Sequence, residues 1–237
     1  MVRWDELTGK ELEEKNPKIA LLPIGSTERH GDHLPLGTDS IVPEYIAEKV
    51  SEKISGSIVL PTIPYGVTIS LSRFRGTINV GPEAFHLYVK EVLREVFRNG
   101  IELVVIINGH GGNVSTLNDV SKEVAYETGK HIVVVSWWSD VAQEDRANIF
   151  RFPGHAGEDE TSVVMAIRPD LVKMDYARDH IHPYPSLRIY SRKVDEKLLP
   201  FAVNGNPLLA SEEKGRKFLD AVIRDIVKAI TDVLSYI

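Results

Sequence analysis

The sequence predicts an α/β fold: three layers, α/β/α, around a mainly parallel sheet. Short apolar, β-branched runs alternate with amphipathic segments of helical length, the order of βαβ units. The runs are apolar throughout rather than alternating, as in strands covered on both faces. The chain has 237 residues, 43% apolar and 26% charged. That suits one domain spanning 1–237, and no Gly-, Ser- or Pro-rich linker, repeat or low-complexity segment divides it.

The elements follow in order. Lys18 to Ile24 is an apolar run stopped by Gly25, a buried strand. Asp39 and Ser40 can cap a helix with Pro43 in its first turn; Ile41, Tyr45, Ile46, Val50 and Ile54 repeat near 3.6 until Ser55-Gly56. Ser57 to Leu60 is a second strand. Gly81-Pro82 opens a helix with Phe85, Val89, Val92, Leu93, Val96 and Phe97 on one face, closed by Asn99-Gly100. Glu102 to Ile107 is a strand, Ser115 to Thr128 a helix ending at Gly129, and His131 to Ser136 a further strand. From Ser211 to Ile237, Leu219, Val222, Ile223, Ile226, Ile230, Val233, Leu234 and Ile237 form an amphipathic stripe. Asp175 to Gly205 is the least regular stretch and is expected to form loops or an oligomer contact.

Composition narrows the function. Lys+Arg is 28 and Asp+Glu 34, a net charge of −6, which argues against a general nucleic-acid binder. The charged start and the short apolar runs predict no secretory signal, no membrane span and a cytoplasmic protein. Cysteine is absent and histidine occurs 8 times, so a metal site must draw on His, Asp and Glu. There is no Gly-x-Ser-x-Gly elbow and no Gly-rich phosphate loop ending in Lys-Ser/Thr, which disfavours a serine hydrolase and an NTPase.

In open α/β sheets ligands bind beyond the carboxyl ends of the strands. Three polar clusters stand there or at helix starts. Gly25 to Asp39 carries Glu28, His30, Asp32, His33 and Asp39 within twelve residues; Asp39 has two oxygens and can bridge two cations. Asn108-Gly109-His110-Gly111-Gly112-Asn113 places a histidine among glycines. Pro153-Gly154-His155-Ala156-Gly157-Glu158-Asp159-Glu160 runs into an apolar helix. Singly, each also reads as a polar turn or an acidic helix start. Together they favour one cleft holding hard-to-borderline divalent ions.

These three clusters closely resemble the creatininase (creatinine amidohydrolase) superfamily, in order from about Ile19 to Thr161, and Phe74-Arg75-Gly76-Thr77 resembles its Phe-Pro-Gly-Thr segment with Arg75 in place of Pro. The resemblance implies a metal-dependent amidohydrolase with two divalent ions (zinc, ferrous iron or manganese). Glu28, Asp39 and His110 would ligate one ion, and His30 and Asp39 the second. Creatininases add a Tyr and a metal-binding Glu after the histidine; here Gly111 and Gly112 stand there, and Glu160 becomes the candidate last ligand. His155 matches the catalytic acid/base, with Glu160 counted beside it in the catalytic set, and His33 would orient a ligand. A hydroxide held by the metals would attack the amide carbonyl.

The Gly-Gly form is similar to the family's peptidase that trims a redox-cofactor precursor peptide and to its deformylase, which releases formate from a formylamino-pyrimidine ribonucleotide of archaeal flavin and deazaflavin biosynthesis; the Lys/Glu/Ile-rich, Cys-free composition resembles a thermophile's and suits an archaeal source. That makes deformylation the preferred specific reaction. Creatinine or another cyclic amide is the alternative, and a catalytically inactive metal- or ligand-binding module is the alternative of a different class. A nucleotide phosphate needs cationic anchors, for which Arg73 and Arg75 are candidates; Trp137, with Trp138, could form an aromatic wall. A small-molecule substrate, no nucleic-acid or membrane partner and a homo-oligomer complete the expectation.

Overall fold

Strands β1 (Ile19–Ile24), β2 (Ser57–Val59), β3 (Leu103–Asn108) and β4 (His131–Ser136) form one parallel sheet in the order β2-β1-β3-β4. The computed structural model describes residues 1–187 and 189–237. Ile24 pairs with Asn108 and Asn108 with Ser136, so three strands end at one level. From β1 the chain first moves to one side, to β2, and then crosses back to β3 and β4. The direction reverses between β1 and β3, where a crevice opens beyond the strand ends.

The pleat sends alternate strand residues to opposite faces. Leu21, Leu103, Val105 and Ile107 pack with α2 (Thr38–Ser51), α6 (Glu158–Ile167) and α8 (Glu212–Leu234) through Val42, Ile46, Val163 and Phe218. Ala20, Leu22, Val104 and Ile106 pack with α3 (Pro82–Arg98) and α4 (Val114–Thr128) through Phe85, Val89, Leu117 and Val120. The result is the expected α/β/α layering. Short helices α1 (Gly9–Lys15), α5 (Gln143–Ile149) and α7 (Arg192–Leu198) were not legible in the sequence. Each has seven residues, too few for an apolar period to register.

One expectation needs correcting. α2 begins at Thr38 with Gly37 as its cap, so Asp39 lies inside the first turn rather than capping it. Its carboxylate is thereby free to turn toward the crevice. Among the described residues, no helix is long and apolar enough to cross a membrane.

Candidate active site

The loops after β1 and β3 and the start of α6 meet over the sheet's switch point. Close packing makes this contact. A Cβ on Gly109 would lie 2.0 Å from the Asp39 carbonyl oxygen, so only glycine lets the end of β3 rest on the first turn of α2. Asp39 then sits between two histidines. Its Oδ1 is 3.0 Å from His30 Nε2 and its Oδ2 is 2.8 Å from His110 Nδ1. Ser26 Oγ donates to Oδ2 at 2.9 Å and holds the carboxylate in place. Glu28 Oε1 lies 3.4 Å from His110 Nδ1 and 3.8 Å from His155 Nδ1, and Glu160 Oε2 lies 3.6 Å from His30 Nε2.

A backbone carbonyl orients each of the three rings. His30 Nδ1 donates to Glu28 O at 3.1 Å, His110 Nε2 to Val67 O at 2.9 Å, and His155 Nε2 to Arg29 O at 3.0 Å. A carbonyl only accepts, so in the neutral ring the other nitrogen carries a lone pair. Those lone pairs face carboxylate oxygens. His30 Nε2 is buried and, despite its nearness to Asp39 and Glu160, makes no hydrogen bond. Lone pairs converging on lone pairs in a buried site call for a cation between them. The donor atoms form three such groups, each within 4.8 Å: Glu28, Asp39 and His110; His30, Asp39 and Glu160; and Glu28, His30 and His155. The first two share Asp39 and between them use every carboxylate of the cluster. An all-oxygen-and-nitrogen set of this kind fits divalent zinc, manganese or iron.

With no cation between these groups the same carboxylates draw a proton onto the facing ring nitrogens, so a proton and a metal ion compete for the same lone pairs. Burial pushes the His30 imidazole down, but the carboxylates of Asp39, Glu160 and Glu28 outweigh it and hold it up at about 10. His110 is likewise raised, its burial overcome by Glu28 and Asp39. Burial would raise the Asp39 carboxyl, yet the two histidines hold it well below the usual carboxylate range. Burial, then the Asp39 and Asp159 charges acting against His30, pushes Glu160 up to about 8. His155 carries no such surplus. Burial foremost, and then the charge of a protonated His30, lower it to about 4.

Three consecutive carboxylates of α6 hold the His155 loop. Glu158 Oε2 accepts from the N–H groups of Arg151 and Phe152, at 2.8 and 2.9 Å. Asp159 Oδ1 accepts from Gly154 N at 2.8 Å, and Glu160 Oε2 from Ala156 N at 2.7 Å. Lys214 of α8 pairs with Glu158 at 2.6 Å, and Arg146 of α5 with Asp159 at 2.6 Å. The acidic run is therefore a clamp on the preceding loop as well as a helix start.

Of the residues singled out in the sequence, Glu28, His30, Asp39, His110, His155 and Glu160 converge here. His33 stands beside them, its Nε2 3.0 Å from Thr161 Oγ1, one residue beyond Glu160. Burial foremost, and then the His30 charge, lower the His33 imidazole to about 4. Three expectations are corrected. Trp137 is 2% exposed and packs on Phe218, so the core takes it, while Trp138 lines the cavity. Arg73 donates to the carbonyls of Ser70 and Leu199, tying its loop to the end of α7. Arg75 is exposed, and neither arginine lines the cavity.

The cavity holds about 560 Å³. Its walls include Ile69, Leu71, Trp138, Tyr184, Tyr190 and Arg146, and its floor is the carboxylate–imidazole cluster. Tyr184 and Tyr190 come from the irregular segment, and Arg146 from a polar helix without a motif. Neither the Val67 carbonyl nor Arg146 left a signal in the sequence, because only folding brings them to the site.

A creatinine amidohydrolase family profile matches residues 5–230. The mycofactocin precursor peptide peptidase of Mycobacterium ulcerans is 31% identical, over 94% of this chain and 88% of that protein. The 2-amino-5-formylamino-6-ribosylaminopyrimidin-4(3H)-one 5'-monophosphate deformylase of Methanothermobacter thermautotrophicus is 25% identical, over 97% and 95%. A solved manganese creatininase superposes with a TM-score of 0.88 at 27% identity, covering 98% of both chains.

Proposed function

The chain belongs to the creatininase family of metal-dependent amidohydrolases, and we propose that it hydrolyses a small non-peptide amide, with the formamide of a formylamino-pyrimidine nucleotide as the specific case. The observation that carries the reading is the shared Asp39, set between His30 and His110 with Glu28 and Glu160 beside them. Glu28, Asp39 and His110 would hold one ion; His30, Asp39 and Glu160 would hold the second. When bound, such ions polarise the amide carbonyl and make water acidic enough to act as a nucleophile near neutral pH.

The protein's own groups complete the step. With His30 given to the second ion and Glu28 to the first, the remaining donor group of Glu28, His30 and His155 is left without two of its members, and His155 Nδ1 is available for proton transfer. It takes the proton released by attacking water and returns it to the departing nitrogen, while Nε2–H stays on the Arg29 carbonyl and fixes the ring. Trp138, Tyr184 and Leu71 line the cavity around the reacting centre. The formamide reading is supported by Gly111 and Gly112, which lack the side chains that the resemblance links to creatinine, and by the similarity to the deformylase. The chain reads as one catalytic domain over its 237 residues.

The test loads the metal-free protein with zinc, manganese or ferrous iron and assays formate release from the formylamino-pyrimidine nucleotide, with creatinine and a precursor peptide in parallel. Formate release alone is the expected result. Creatine formation alone selects the cyclic-amide reading. Two bound ions without any product point to a binding module and overturn the hydrolase assignment.

A further inference from the structure

Among the described residues lining the cavity, Arg146 is the only lysine or arginine. Its Nε and Nη2 both donate to one oxygen of Asp159, at 3.0 and 2.6 Å. Nη1 has no hydrogen-bond partner among the described residues. Asp159 is 1% exposed and its other oxygen holds Gly154 N, next to His155. Arg146 is thus a rigidly held cation, partly exposed at 22%, in the wall above the catalytic floor. A guanidinium fixed on one edge presents its remaining N–H groups at a set angle, the arrangement that recognises an oxyanion.

From this arrangement we infer that Arg146 is a specificity-determining residue that binds an anionic group of the substrate, a carboxylate or a phosphate. The inference rests on the hydrolase reading above and adds the charge class of its substrate. It also explains why a cavity floored by Glu28, Asp39 and Glu160 has a cationic wall: the substrate's reactive amide goes to the floor and its anion to the side. Because Asp159 joins Arg146 to the loop of His155, anion binding also steadies the proton carrier.

The test titrates metal-loaded protein by calorimetry with methyl phosphate, with N-acetylglycine and with uncharged N-acetylglycinamide. No turnover is required, so the result is independent of whether a substrate for hydrolysis has been found. The unaltered protein is expected to bind one of the two anions at least about tenfold more tightly than the neutral amide, and the preferred anion distinguishes phosphate from carboxylate. Arg146→Met should lose about tenfold to a hundredfold of that affinity at unchanged metal content, and Arg146→Lys part of it. Should Arg146→Met fail to fold with Asp159 left unpaired, the double variant Arg146→Gln, Asp159→Asn removes both charges of the pair and should show the same loss. Equal affinity for anions and the neutral amide, or an anion affinity unchanged in these variants, overturns the inference.

Discussion

Gly112→Ala tests how the site is held without touching any proposed ligand. A Cβ at 112 would lie 1.9 Å from the Val67 carbonyl oxygen and 2.6 Å from His110 Nε2, which are the two ends of one hydrogen bond. Ordinary contact begins near 3.4 Å, so the carbonyl must retreat by roughly 1.5 Å. The bond that fixes His110 at 2.9 Å does not survive this, and the ring loses the tautomer that aims Nδ1 at Glu28 and Asp39. Losing such an orienting partner costs about tenfold to a hundredfold in metal affinity. Overpacking adds about 1–3 kcal/mol of destabilisation, a fall in Tm of roughly 2–12 °C at this chain length. Gly111→Ala is the matched control, since its Cβ would meet only Trp138, at 3.9 Å. Neither glycine has a positive φ, so backbone strain does not separate them. Competition against a chromophoric chelator measures the affinity, and differential scanning calorimetry the Tm. Equal metal affinity in the two variants would refute the reasoning. By the same contact, Gly112→Glu should not restore a creatininase-like ligand.

His155→Asn should lower turnover by about 10²- to 10⁴-fold while retaining the metal content of the unaltered protein, measured by elemental analysis; full activity in a folded variant would remove His155 from the mechanism. Glu160→Gln should reduce bound metal from two ions to one per chain, because it removes a carboxylate from the three-donor group of His30, Asp39 and Glu160. Retention of both ions would mean that the second ion takes its last ligand elsewhere. Lys214→Met strands the buried Glu158, which also carries the Arg151 and Phe152 N–H groups. The expected cost is about 3 kcal/mol, the lower end for a broken buried pair because Lys214 is one-third exposed. Urea unfolding checks this, and a change under about 0.5 kcal/mol would show the pair to be an ordinary surface contact.

The sequence by itself determined the layering and the chemistry of the site. Apolar runs such as Ile19–Ile24 and Leu103–Asn108 can be satisfied only with both faces covered, so they declare buried parallel strands wherever they are read. Glu28, His30, Asp39, His110, His155 and Glu160 were legible because their chemistry stands beside glycines at strand ends or helix starts, where packing does not demand it. Tertiary structure alone decided how these residues are used. Asp39 became a shared carboxylate because the helix is capped at Gly37, two residues before Asp39, and Gly109 lets a distant strand end lie against it. Trp137 went to the core while Trp138 faced the cavity, since adjacent residues leaving a strand point opposite ways. Arg73 was drawn to the carbonyls of Ser70 and Leu199, and Arg146 took the cavity wall through Asp159, thirteen residues away. Local pattern records what a residue can do. Which partner it meets depends on contacts between segments far apart in the chain, and those exist only after the layers have packed.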